Sequence, residues 1–138
     1  MTIHAFTDGA ARGNPGEAGV GIILKDERGG TLSRVSGYIG ETTNNVAEYA
    51  ALVACVKAAS KTPCTRLIVH SDSELMVRQL TGEYKVKDIT LKKYFQKVHK
   101  LLQSVAFEFE IRHVYREQNR EADRLANVGI DSKRKLRV

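Results

Sequence analysis

The sequence predicts one α/β domain with a mixed five-stranded sheet, antiparallel in its first half and parallel in its second, and with helices on both faces. Three observations predict this fold. Three strand-like runs open the chain, helical spacing begins only near Thr43, and a short apolar strand later lies between two helical segments. A strand reached through a crossover helix normally pairs in parallel, so the later strands are expected to be parallel.

The first three strands are predicted to form an antiparallel unit. The apolar run 3–7 ends at Asp8 and is followed by the glycine-rich turn 13–16. Two further runs, 19–24 and 32–39, flank a polar turn that contains glycine, a pattern typical of a hairpin. Asp8 therefore ends a buried strand, where a carboxylate is costly unless a cation, a metal or a hydrogen-bond donor accompanies it.

Helical spacing dominates the rest of the chain. Three of the four predicted helices follow Thr, Ser or Asn residues that can act as caps. In chain order, the predicted elements are a helix from 42–45 to about 60, a strand over 67–70, a helix over 71–80, a helix over 91–105, a strand over 107–114 and a helix from Asn119 to about 128.

At 138 residues the chain is long enough for one domain with its own core. We predict that domain over residues 1–128, followed by a basic tail over 129–138. The tail can pair along a sheet edge, contact nucleic acid or stay disordered, and disorder is the default expectation for a charged terminus.

Composition narrows the range of partners and compartments. Lys and Arg outnumber Asp and Glu by 22 to 16, a formal net charge of +6 that favours an anionic partner such as nucleic acid. No apolar run approaches the ~18 residues of a membrane span, and the N-terminus lacks a secretory pattern. We expect a cytoplasmic monomer with no membrane partner. Cys55 and Cys64 lack metal-ligand or disulfide spacing and are expected to be free thiols.

Four acidic residues at the edges of predicted elements are the candidate chemical groups: Asp8, Glu48, Asp72 and Asp123. Three of them have a plain structural explanation. Glu48 can partner an Asn45 cap, Asp72 can lie beside a Ser71 cap, and Asp123 can complement a helix N-terminus. A set of carboxylates around a buried one instead favours a metal.

These residues, together with their neighbours, also resemble the motifs of a known protein family. The chain resembles the type 1 ribonuclease H family in five stretches: residues 7–10, residues 13–16, residues 43–45 with Glu48, residues 70–73, and Asn119 with residues 122–123. The match spans residues 3 to about 128 in unbroken order. It implies a ribonuclease H-like fold and an endonuclease that hydrolyses the RNA strand of RNA–DNA hybrids, leaving 3′-hydroxyl and 5′-phosphate ends.

The resemblance implies that all four acids are catalytic and bind two Mg²⁺ ions, with Mn²⁺ as an alternative. Two divalent ions ~3.5 to 4 Å apart can activate a water and stabilise the leaving oxygen of a phosphoryl displacement. By the same resemblance, Asp8 bridges both ions, Glu48 and Asp72 each complete one of them, and Asp123 holds the ion on the water side. Clustered like charges destabilise the metal-free protein, so metal binding should be linked to stability.

The resemblance further implies four substrate-binding residues. Asn14 and Asn45 correspond to contacts with bases and sugars in the minor groove, and Thr43 and Asn44 to a grip on a phosphate of the DNA strand. RNA would be recognised through its 2′-hydroxyl groups. Helix capping and turn chemistry explain the same residues from sequence alone, and the two roles are compatible.

The chain departs from the family pattern in several places. The segment 81–90 is short and lacks the extra basic helix of some members. No tryptophan is present, and the nearest substitutes for a DNA-strand channel are Tyr84, Lys85 and Lys87, with Lys92 and Lys93. A solvated helix face is the default role for any single one of these lysines. Glu74 stands where the family often has glutamine, and its charge should weaken the hold on the RNA strand.

His113 precedes Asp123 by ten residues, a separation that the family's catalytic histidine also has. Here, however, His113 is predicted to end the fifth strand, with only a short loop after it. We therefore predict that the catalytic histidine is absent and that Arg116 or Glu117 lies nearest to its place.

Two rival functions remain open on sequence grounds. One is a hybrid-binding module that has lost catalysis, which the four acids argue against. The other is a DNA-directed transposase or junction resolvase on the same fold, which leaves the Gly-Asn-Pro-Gly and Thr-Asn-Asn stretches unexplained.

Overall fold

The computed structural model describes residues 1–138 as five strands, four α-helices and one short 3₁₀ helix. In chain order these are β1 (Thr2–Gly13), β2 (Gly16–Lys25), β3 (Thr31–Thr42), α1 (Asn44–Ala59), β4 (Arg66–Ser71), α2 (Glu74–Leu80), α3 (Ile89–Ser104), β5 (Glu108–His113), the 3₁₀ helix Arg116–Gln118 and α4 (Arg120–Ser132). None of the helices combines the length and apolar character that crossing a membrane requires.

The strands form one sheet in the order β3-β2-β1-β4-β5. β1 pairs with β2 and β2 with β3 in antiparallel fashion, whereas β4 is parallel to both β1 and β5. The predicted mixed sheet is therefore confirmed. In the parallel register Thr7 lies opposite Ser71, so Asp8 and Asp72 are the next residues of two neighbouring chains at the same end of the sheet.

Helices cover both faces of the sheet, as predicted. α1 packs on β1 and β2 on one face and against α3 on its outer side, while α4 packs on β2, β3 and β1 on the opposite face. Twelve of the 16 residues of α1 are buried, because the helix is apolar on nearly all sides and lies between two layers. A single charged residue, Glu48, is among them.

The structure does not contain the two helix caps that would explain Glu48 and Asp72 without a metal. The cap of α1 is Thr43, whose hydroxyl oxygen accepts a 3.3 Å hydrogen bond from the Val46 N–H, and not Asn45. α2 begins after Ser73, which caps it, and not at Ser71. Ser71 is still paired in the sheet with Thr7, and this pairing delays the start of the helix.

The C-terminal segment is ordered against the sheet. α4 continues to Ser132, so the predicted boundary at residue 128 lies inside this helix. Beyond it, the Tyr38 N–H donates to the Arg134 carbonyl at 2.8 Å and the Leu136 N–H donates to the Tyr38 carbonyl at 2.9 Å. Of the three alternatives for the tail, the structure shows pairing along the edge strand β3 and not disorder.

The two cysteines are free thiols, as expected. Cys55 is buried in α1, and burial raises the pKa of its thiol far above the ordinary value. The sulfur therefore stays protonated and contributes to the core as a small apolar group.

Candidate active site

The site begins where β1 and α1 touch. Gly9 follows Asp8, and a Cβ atom built on Gly9 would lie 2.1 Å from the carbonyl carbon of Ala47 in α1. Real atoms do not approach so closely, so only glycine lets the helix backbone lie directly on the strand. The Gly9 N–H then donates a 2.7 Å hydrogen bond to Glu48 Oε1. The close approach thus places Glu48 beside Asp8.

Three of the predicted acids converge at this end of the sheet. One carboxylate oxygen from each of Asp8, Glu48 and Asp72 lies within 4.8 Å of the others. The side chains of Asp8 and Glu48 are buried, at 5% and 8% exposure, whereas Asp72 is half-buried. Asp123, in the exposed first turn of α4, adds its negative charge beside Asp8. The fold therefore assembles all four predicted acids from four different elements.

The electrostatics of the cluster are unfavourable in the metal-free protein. Burial, followed by the charges of Glu48 and Asp72, raises the pKa of Asp8 well above its ordinary value. Burial and the charge of Asp72 also raise the pKa of Glu48, against the opposing hydrogen bond from Gly9. Such a group of hard oxygen donors fits a divalent cation of the Mg²⁺ class, which removes the repulsion by binding between them.

The acids line a cleft of about 690 Å³ with polar walls. Asn44 and Asn45, at the N-terminus of α1, lie on one side of the cleft. Arg116, Glu117 and Arg120 lie on another side, and Arg116 is close enough for its charge to act against the rise in the pKa of Glu48. The cleft thus combines an acidic centre with two arginines at its rim, which a phosphodiester can contact, although Glu74 and Glu117 also line it.

The predicted substrate residues lie together. The Asn44 N–H donates to Asn14 Oδ1 at 3.1 Å, and the Ala11 N–H donates to Asn44 Oδ1 at 2.9 Å. These two bonds tie the β1–β2 hairpin to the N-terminus of α1. Thr43 caps that same helix end, and Asn14 and Asn45 are exposed. Asn44 therefore has a structural role, which leaves its amide nitrogen available for a ligand.

His113 is the last residue of β5, as predicted. It is exposed and packs edge-on against the ring of Tyr115. The Val114 N–H still donates to the Ser71 carbonyl at 2.9 Å, so the chain stays attached to β4 beyond His113. Arg116 and Glu117, and not His113, line the cleft.

Asn119, for which the sequence predicts a helix cap within the matched motif, has a different role at the site. Asn119 precedes α4, but its side chain makes no capping bond and is buried, at 1% exposure. Its Nδ2 donates to the Thr7 carbonyl at 2.9 Å and to Asp72 Oδ2 at 3.3 Å. The amide therefore joins β1 to Asp72. The sequence offered only one signal for this role, the place of Asn119 four residues before Asp123 in the matched motif.

The comparisons with known proteins agree with this geometry. A family model described as "Reverse transcriptase-like" matches residues 6–129. Ribonuclease H of Methylococcus capsulatus is 34% identical over 94% of this chain and 90% of its own length. Ribonuclease HI of Halobacterium salinarum is 40% identical over 94% of this chain, which spans 64% of that relative's length.

A solved structure gives the same result at the level of the fold. The crystal structure of LC11-RNase H1 in complex with an RNA/DNA hybrid superposes with a TM-score of 0.89 at 46% identity, and the match covers 94% of this chain and 97% of that one. The resemblance drawn from the sequence motifs is confirmed. By its sequence, its sheet order and the matched length, the chain belongs to the type 1 ribonuclease H family.

Proposed function

We propose that this protein is a metal-dependent endonuclease that hydrolyses the RNA strand of RNA–DNA hybrids and leaves 3′-hydroxyl and 5′-phosphate ends. The observation that carries the proposal is the convergence of Asp8, Glu48 and Asp72, with Asp123 beside them, in a cleft that two arginines also line. It is supported by relatives named ribonuclease H and by a similar structure that contains an RNA/DNA hybrid.

Four carboxylates would hold the metal: Asp8, Glu48, Asp72 and Asp123. Oxygen ligands of this kind select Mg²⁺ or Mn²⁺ and not zinc. When bound, two such ions supply a nucleophilic water at neutral pH and stabilise the leaving oxygen of an in-line displacement. The raised pKa values of Asp8 and Glu48 mean that binding releases protons, so metal affinity should increase with pH.

The chain's own residues orient these ligands. Gly9 donates to one oxygen of Glu48, and Asn119 donates to one oxygen of Asp72. Donors fixed in this way hold the ligands in place before metal or substrate arrives, as outer hydrogen-bond partners commonly do in metal sites.

Substrate binding is assigned to the surface formed by the β1–β2 hairpin and the N-terminus of α1. Asn14 and Asn45 face solvent there, where a minor groove can be contacted. We assign a phosphate of the DNA strand to Thr43 and Asn44, because the dipole at the N-terminus of α1 favours anions and the side-chain nitrogen of Asn44 is left as a donor. Arg116 and Arg120 add positive charge on another wall of the cleft.

The test is cleavage of an end-labelled RNA–DNA hybrid beside DNA and RNA duplexes of the same sequence, with Mg²⁺, Mn²⁺ or EDTA. We expect cleavage of the hybrid's RNA strand with either metal and none in EDTA, and end analysis should give 5′-phosphates. Binding without cleavage would support the catalytically inactive module instead. Preferential cutting of the DNA duplex or of a DNA junction would support the transposase or resolvase alternative.

A further inference from the structure

The C-terminal segment 133–138 alternates in the manner of an edge strand. Leu136 and Val138 are half-buried and pack against the hydrophobic core, while Lys135 and Arg137 between and beside them are exposed. Leu136 lies directly over Gly37 of β3, where a Cβ atom would be only 2.4 Å from the Cβ of Leu136. The segment is therefore held by its apolar side chains and by two backbone hydrogen bonds to Tyr38.

The side chains that this segment exposes are all cations: Lys133, Arg134, Lys135 and Arg137. Residues 133–138 contain no acid. Only Lys133 pairs with a carboxylate, at 2.6 Å from Glu17 Oε2. Three positive charges are thus left without an anionic partner on one short edge of the protein.

α4 connects these cations to the acid cluster. Asp123, Asn127 and Asp131 recur every four residues and so lie on one face of the helix. Arg12, at the end of β1, donates to Asp131 Oδ1 at 2.6 Å and to Asn127 Oδ1 at 3.2 Å, so this face lies against the base of the β1–β2 hairpin. The substrate residue Asn14 is at the tip of the same hairpin.

The length of α4 sets the spacing. From Asp123 to Ser132, the last residue of α4, there are nine helical steps, which correspond to about 14 Å at 1.5 Å per residue. A duplex presents one phosphate per strand about every 3.4 Å along its axis. The end of α4, where the segment with the exposed cations begins, is therefore about four phosphates away from the acid cluster along the helix axis, within the length of a short hybrid.

We propose that the docked segment 133–138 is a second nucleic-acid contact, in which Arg134, Lys135 and Arg137 bind backbone phosphates flanking the cleavage site. The inference rests on the proposed function, because it takes the hybrid as the ligand. Contacts of this kind supply affinity and register without reading sequence, since they address only the phosphate backbone. The segment enlarges the binding surface beyond the cleft itself.

A second explanation of the same charges is protection of the sheet edge. Charged side chains, lysine above all, prevent edge strands from pairing with other molecules. In that case the cations would affect solubility and self-association, and their removal would not change the salt dependence of hybrid binding. The two explanations therefore predict different measurements.

The experiment measures hybrid affinity as a function of salt in an Asp8→Asn background, so that the hybrid stays intact. The test variant is Arg134→Gln/Lys135→Gln/Arg137→Gln. The matched control is Arg28→Gln/Lys57→Gln/Lys61→Gln, which removes the same charge from the β2–β3 turn and the far end of α1. The slope of log K against log salt is negative, and we expect its magnitude to decrease by about one for each contacting side chain that is removed. The decrease in the test variant is therefore up to about three.

The control variant should bind with a nearly unchanged slope, because Arg28 lies in the turn at the end of the sheet opposite the acid cluster, and Lys57 and Lys61 lie at the far end of α1. Neutral methylphosphonates placed in the hybrid about four positions from the cleavage site should lower its affinity for the parent protein and leave its affinity for the test variant unchanged. Equal losses in the test and control variants, or no loss in either, would overturn the inference.

Docking of the segment is monitored independently through hydrogen exchange of the Tyr38 and Leu136 amides. If the triple variant loses this protection, the three single Gln variants are measured instead, and each should lower the slope by about one. Cleavage by the unmodified protein is assayed separately. If the unmodified protein does not cleave the hybrid but the Gln variants still show a smaller salt slope, the proposed function is disproved and the phosphate contact is supported.

Discussion

The backbone N–H of Gly9 donates a 2.7 Å hydrogen bond to the carboxylate of Glu48, and this one contact joins the first strand to the first helix at the acid cluster. It exists because no side chain separates the strand from the helix backbone at Gly9. The geometry of the candidate metal site is therefore sensitive to a single methyl group.

We predict that Gly9→Ala moves α1 away from β1 and destabilises the protein by about 3 kcal/mol or more, at the upper end of overpacking effects. Urea unfolding measures the loss, and Mg²⁺ titration measures the weakened site. Gly29→Ala is the control, because Gly29 has open space around it and a φ of +83°, so it reports the conformational effect alone, about 1 kcal/mol. Equal losses of unfolding free energy in both variants would mean that the contact between the new Cβ and the Ala47 backbone does not destabilise the fold.

Asp8→Asn and Asp72→Asn should each abolish turnover, beyond the ~100-fold loss that is typical of residues which only orient a ligand. Hybrid binding should remain largely intact, since it depends mainly on phosphate and sugar contacts. Rates and affinities are measured side by side, with the exposed Glu108→Gln as a charge-matched control. Near-normal cleavage by either variant would remove the metal-centre hypothesis.

The metal-free stability of the protein should depend on pH through Asp8. Its folded-state pKa is raised from 3.8 to about 10, first by burial, so the folded protein keeps a proton that the unfolded chain has released. This contribution is fully present below pH 3.8 and is lost as pH rises towards 10. In EDTA, Asp8→Asn should therefore gain stability relative to the parent between pH 5 and pH 9.

Thermal unfolding in EDTA checks this sign. We expect the melting temperature of Asp8→Asn to exceed that of the parent at pH 9 by at least about 4 °C, which corresponds to roughly 1 kcal/mol in a domain of this size. Saturating Mg²⁺ should reverse the order, because only the parent keeps the full ligand set. A pH-independent difference between the two proteins would argue that Asp8 is ionised throughout.

Replacing Thr43 and Asn44 together with alanine should reduce hybrid cleavage more than any activity on RNA duplex, because both residues are proposed to hold the DNA strand. The structure adds a confounding effect, since Thr43 caps α1 and Asn44 accepts the Ala11 N–H bond. Asn44→Asp separates the two roles, because it keeps the acceptor and loses the donor. Circular dichroism of all variants identifies a melted α1, and equal losses on both substrates would make the residues caps only.

His113→Ala should be nearly silent in catalysis, whereas Arg116→Ala or Glu117→Ala should lower kcat. A general acid must come within about 2.6 to 3.2 Å of its proton, directly or through a water, and a side chain at the end of β5 is held away from the cleft. The three variants are compared at saturating Mg²⁺ from pH 6 to 9. A loss of two or more orders of magnitude in His113→Ala alone, with folding unchanged, would identify His113 as the catalytic histidine.

Much of this architecture was predictable from sequence because it depends on local rules. The hairpin turn between β2 and β3 and the crossover through α1 define the mixed sheet, and the motif spacing identified the four acids. The side-chain contacts were not predictable. Asn119 has the sequence features of a cap, and its turn towards Thr7 and Asp72 depends on how α4 packs against the sheet.

The C-terminal segment shows the same limit. Its charge predicts disorder, and nothing local indicates that Leu136 meets a glycine about 100 residues earlier in the chain. That contact depends on β3 being an edge strand and on α4 ending beside it. Pairing of Ser71 in the sheet likewise overrode the capping preference that its sequence neighbours indicated.

The two chain ends lie in different positions relative to the cleft. The amino group of Met1 is hydrogen-bonded to Thr65, at the end of the sheet opposite the acid cluster. The carboxyl end is docked on β3, on the side of the hairpin. An affinity tag or a surface linker attached at Met1 therefore leaves the cleft accessible. The same addition after Val138 would adjoin the docked segment and the cations that we propose bind phosphate, so hybrid affinity is better measured on the protein without it.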